Sequence, residues 1–175
     1  MAISLYDISV ANYLQTAGAV AGFLDRGLAH FKETGTDPET IVETSLFPDM
    51  RPFRFQIQSV VHQSIDVIDA LLRGEAFHPP SADAPREDYA ALQASVRDAI
   101  ARLEKVTPDE VNAREGSDMV FQTAHGGRRY TAPNFILSFS LPNFHFHATT
   151  AYDILRWQGV PLGKRDYMGV ARVKA

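Results

Sequence analysis

Over residues 10–31, apolar or small side chains fall at Val10, Tyr13, Leu14, Ala17, Val20, Ala21, Leu24, Leu28 and Phe31, in steps of three and four. That period lines one face of an α-helix and predicts a helix about six turns long. Polar Asp25, Arg26 and Lys32 take the other side. Gly18, Gly22 and Gly27 lower helix propensity within it, so some of them are expected where another helix comes close. Thr34-Gly35 predicts the end of this helix, and Thr36-Asp37-Pro38 the start of a short one through Glu43. Two prolines and the lack of a period make residues 45–52 a loop. A second long helix is predicted over 53–73, with Ile57, Val60, Val61, Ile65, Ile68, Leu71 and Leu72 as its stripe and Gly74 as its stop.

Residues 75–85 carry three prolines and read as a linker-like crossover between halves of one domain, since neither flank could bury a core alone. A third helix is predicted over about 87–106, with Tyr89, Leu92, Val96, Ile100 and Leu103 in register, and Thr107-Pro108-Asp109-Glu110 opens a short fourth. The period then changes. Residues 119–123 and 128–131 flank the turn-rich Ala124-His125-Gly126-Gly127 and predict a β-hairpin that needs the helices for support. Thr131-Ala132-Pro133 opens the last long helix, and Pro142 inside it predicts a kink or break near 138–141. The whole reads as one domain over residues 1–175, an all-α four-helix bundle with a hairpin before its last long helix.

Composition narrows the chemistry. Hydrophobic residues make up 45% and charged residues 22%, the balance of a globular chain. A formal net charge of -4 offers no global basic field, so nucleic acid is not an expected partner. The absence of cysteine excludes disulfides, thiolate metal sites and a cysteine nucleophile. The N-terminus lacks the pattern of a secretory signal and no apolar run is long enough to span a bilayer, so the expectation is a cytoplasmic protein without a membrane partner.

Candidate chemistry concentrates in the last helix. Asn143 and His147 are four apart and share a helix face, the spacing with which one helix offers two ligands to a divalent metal. An amide is a poorer ligand than imidazole, and the competing assignment has Asn143 capping backbone freed by Pro142 while His147 makes a core hydrogen bond. His62 on the second helix could add a ligand, with Asp66 one turn on to orient its ring. His145 lies about 200° from Asn143 and is read as packing or surface. Tyr152 and Arg156 form another such pair, which Tyr13 could approach. Arg156 either clamps an anionic ligand or pairs with Asp153 or Asp7 to fasten the bundle end. Gly159 is placed for a left-handed helix cap, with Pro161 just beyond.

The segments Ser4-Leu5-Tyr6-Asp7, Pro48-Asp49-Met50-x-Pro52 and, above all, Leu141-Pro142-Asn143-Phe144-x-Phe146-His147-x-Thr149-Thr150-Ala151-Tyr152-x-Ile154-Leu155-Arg156 are shared features. With the continuation through Gly159-Val160-Pro161-Leu162-Gly163-Lys164-Arg165-Asp166, the chain resembles an uncharacterised domain-of-unknown-function family of the DinB/YfiT-like superfamily. The resemblance implies a helical bundle with an up-down-down-up crossover, often dimeric. It also implies nickel or zinc held by one histidine of the second helix and a His-x-x-x-His pair of the fourth. Carried over by position, His147 matches the second histidine of that pair, Asn143 stands where the first would be, and His62 stands near the helix-two ligand. The expected function is small-ligand binding by a bundle with a degenerate metal site, with Asn143, Tyr152, Arg156 and Tyr13 as ligand-binding residues. Two alternatives stand beside it: a metal-dependent transferase or hydrolase of the superfamily type, and a homodimeric interaction protein without a small-molecule site.

Overall fold

The structure is a computed structural model that describes residues 3–80 and 86–173. After α1 (Leu5–Ile8), started by a capping box of Ser4 and Asp7, the chain enters the 25-residue α2 (Val10–Thr34). Gly35 ends α2 in the left-handed conformation at φ 69°, which glycine adopts at little steric cost. The short α3 (Glu39–Val42) leads to α4 (Phe53–Val61). The second long helix then widens into a π-helical turn at His62–Asp66 before continuing as α5 (Val67–Arg73). Asp88 caps α6 (Tyr89–Leu103) by accepting from the Ala91 amide at 2.7 Å, and Thr107 with Glu110 forms the capping box of α7 (Pro108–Asn112).

Strands β1 (Asp118–Thr123) and β2 (Gly126–Thr131) pair antiparallel around a two-residue turn, Ala124-His125. The last long helix begins as α8 (Ala132–Phe135), widens into a second π-helical turn at Ile136–Ser140 and continues as α9 (Leu141–Trp157). The irregularity anticipated from Pro142 is therefore a wide turn just before the proline. Pro142 itself sits in the first turn of α9 within one continuous helical run, and the widened turn before it accommodates the proline ring and the missing N–H. A short α10 (Lys164–Met168) closes back on α2.

Helix α2 packs against α6 and α9, and α4 packs against the same two, so the long segments close a ring around one apolar core. Tyr13, Phe23, Phe53, Ile57, Phe135 and Phe144 lie fully buried within it. Tyr13 meets Ser140, and a Cβ on Gly27 would meet Leu155, so α2 and α9 run in the same direction. Gln56 meets His147 and Gln63 meets Ser140, so α4 and its π turn run opposite to α9.

Two expectations become more specific. Of the three glycines of α2, only Gly27 marks a close helix approach: a Cβ there would lie 2.6 Å from Tyr89 Oη and 3.1 Å from Leu155. Gly18 and Gly22 meet nothing within 4 Å. The crossover is also tied to the hairpin, because Phe77 forms a parallel bridge with Phe121. The Phe77 amide donates to Val120 O, and Gln122 N donates to Phe77 O, each at 2.8 Å. Residues 81–85 of the predicted linker lie outside the described residues. Among the described residues, no helix is long and apolar enough to cross a membrane.

Candidate functional site

The facing sides of α4 and α9 carry the polar groups that the core would otherwise exclude. Gln56 is buried, and its Nε2 donates to Arg51 O at 2.8 Å. That bond orients the amide and leaves Oε1 as an acceptor, 2.7 Å from His147 Nδ1. Nδ1 must therefore carry the hydrogen, and Nε2 holds a lone pair. Nε2 has no hydrogen-bond partner among the described residues, and the imidazole as a whole is half-buried. Burial, with a smaller contribution from the charge of His62, pushes the His147 pKa down to about 4 and keeps the ring neutral. Phe55 and Phe146 meet the imidazole edge-to-face, with centroids at 5.8 and 5.3 Å. The Arg51 guanidinium lies 5.4 Å from the Phe55 centroid.

His62 is engaged elsewhere. Its Nδ1 faces Asp66 Oδ2 at 3.0 Å, its Nε2 faces His78 O at 2.8 Å, and its ring stacks on Phe77 at 4.5 Å. Asp66 orients the ring as its spacing suggested, but with an oxygen at each nitrogen His62 presents no lone pair to an ion. Asn143 turns its amide nitrogen back to Phe139 O at 2.6 Å, within the wide turn that precedes Pro142. Among the described residues, no group of three or more His, Asp or Glu could hold a metal. The residues present, as arranged, do not fit a divalent ion, because His147 Nε2 is a single imidazole donor without companions.

The remaining predicted residues are dispersed. Tyr13 is fully buried; its hydroxyl donates to Ser140 Oγ at 2.5 Å, and Ser140 Oγ donates to Gln63 O at 2.7 Å. Burial pushes the Tyr13 phenol up, so it stays a donor. Tyr152 packs edge-on against Phe23 at 6.1 Å and Tyr167 at 5.9 Å. Phe23 lies ten residues beyond Tyr13 on α2, about 15 Å along the axis, so Tyr13 and Tyr152 do not share a site. Arg156 donates to Val160 O at 3.0 Å and tethers the chain leaving α9; the expected ion pair with Asp153 or Asp7 does not form among the described residues. His145 is half-buried beside Phe144, and burial lowers its pKa.

Gln56, Phe55 and Arg51 are the site residues that sequence reasoning missed. The available signal was Gln56, Ser59 and Gln63 at spacing i, i+3, i+7, a polar row beside the apolar stripe of the second helix. Ser59 Oγ and Gln63 Oε1 of that row are buried without a hydrogen-bond partner among the described residues.

The helical architecture with its two-stranded hairpin is DinB-like. It matches the crystal structure of a DinB family member protein from Shewanella denitrificans with a TM-score of 0.82, at 24% identity, over 98% of this chain and 95% of that one. No curated protein matches the chain. The chain belongs to DUF1993, a domain of unknown function, whose family model matches residues 5–168.

Proposed function

We propose that the chain works as one domain, a four-helix bundle that binds a small hydrogen-bond-donating molecule at His147, with the implied metal site degenerate. One observation carries this reading: Gln56, itself held by Arg51 O, fixes the half-buried His147 with its Nε2 lone pair unpartnered among the described residues. A neutral imidazole locked in one tautomer is an acceptor prepared in advance, so little reorganisation is needed on binding. With a pKa near 4 it is a weak base at neutral pH, which favours a binding role over general-base catalysis. The exposed Leu137 and Trp157 of the last helical segment support the accompanying proposal of a homodimer.

Two measurements on tag-free protein test the site. Long-range proton–nitrogen NMR at pH 7 should show His147 as the Nδ1–H tautomer, and the opposite tautomer would sink the reading. Elemental analysis should find no stoichiometric nickel or zinc. Metal at one equivalent that disappears in His147→Ala would instead establish the metal-dependent alternative.

A further inference from the structure

The groups around His147 Nε2 restrict what can dock there. The nitrogen only accepts, so the ligand must bring an N–H or O–H; an ionised carboxylate would set lone pair against lone pair. The ring is flanked by Phe55 and by Phe146, whose side chain is 57% exposed, so the ligand's body meets aromatic carbon. Flat rings pack on such edges in offset or edge-to-face geometry. A positive charge borders this patch, because the Arg51 guanidinium rests on Phe55. An ammonium is therefore repelled, whereas the face of a further aromatic ring is attracted to the guanidinium.

We propose that the ligand is a neutral hydroxyaromatic compound, a phenol in its simplest form, whose hydroxyl donates to His147 Nε2 while its ring packs on Phe55 and Phe146 near Arg51. The assignment rests on the reading of His147 as the binding residue. A phenol combines the three properties in one molecule: a strong neutral donor, a flat apolar body and no formal charge.

The test is an NMR titration of the full chain at pH 7 with phenol, toluene, benzoate, benzylammonium and butan-1-ol, following the His147 ring nitrogens and backbone amides. Phenol is expected to shift the Nε2 resonance and to bind at least about tenfold more tightly than each of the others, a hydrogen bond's worth of discrimination. His147→Ala should lose that preference. Because its ring is partly buried, the exposed Phe146→Ala serves as a second variant, folded like the parent and several-fold weaker for phenol. Butan-1-ol binding as tightly as phenol at Nε2 would overturn the aromatic assignment and leave His147 as the binding residue. Phenol binding that spares His147 would overturn both, and no response to phenol would overturn the hydroxyaromatic class while the tautomer measurement decides the rest.

Discussion

His147 is a histidine deprived of much of its water and given an amide, not an acid, for company. Its folded pKa of about 4 lies below the ordinary value near 6.5. The folded state therefore binds fewer protons than the unfolded state between those values. Its contribution to stability is complete above about pH 6.5 and is lost as pH falls toward about 4. Allowing for the ring's partial exposure, the loss should be on the order of 1–3 kcal/mol. Urea midpoints measured from pH 7 to pH 4 should fall less steeply in His147→Gln than in the parent. A smaller slope should persist there, because burial depresses His145 in the same direction. Equal slopes in parent and variant would contradict the assignment. Asn143 illustrates how far one residue could be read in advance: its spacing from His147 was legible, and so was its competing use as a backbone partner. Which use prevails depends on Phe139 O lying within reach.

Helix starts and stops followed from local chemistry, as the Thr107-Glu110 box and the left-handed Gly35 and Gly74 show. The interior of the helices did not. The π turn at His62–Asp66 has no proline to announce it, and Gln63 O within it accepts from Ser140 of the other wide turn, 77 residues away. Ser140→Ala would leave buried Tyr13 Oη without its acceptor and Gln63 O without its donor. The expected cost is about 1–3 kcal/mol by chemical denaturation, part of it recovered when Tyr13→Phe is added. The glycines of α2 make a sharper comparison. Gly27→Ala places a methyl group against Tyr89, whose hydroxyl donates to Leu24 O at 2.8 Å, and should destabilise by about 1–3 kcal/mol. Gly18→Ala, in open space, should stabilise by roughly 0.5–1 kcal/mol. Thermal denaturation of the two variants reads the difference in sign.

At the scale of the molecule, the ring of α2, α6, α4 and α9 brings together residues distant in sequence and keeps apart others that looked like partners. It joins Gln56 to His147 while setting Tyr152 beside Phe23, about 15 Å along α2 from Tyr13. It also leaves Trp157 64% and Leu137 51% exposed. If a second copy covers them, light scattering after size exclusion should give twice the mass of the 19.4 kDa chain. Trp157→Glu should then shift the protein toward monomer without unfolding it. By itself, the sequence determined the helical periods, the caps, the hairpin and the irregularity before Pro142, because each depends on side chains within a few residues of one another. It also placed His147 at the centre of its most specific motif. Only the tertiary structure decided what that histidine does. Its tautomer is set by Gln56, 91 residues away, and its pKa by how deeply α4 and α9 bury it. Both depend on how the helices pack across the core, which the local pattern of the chain does not encode.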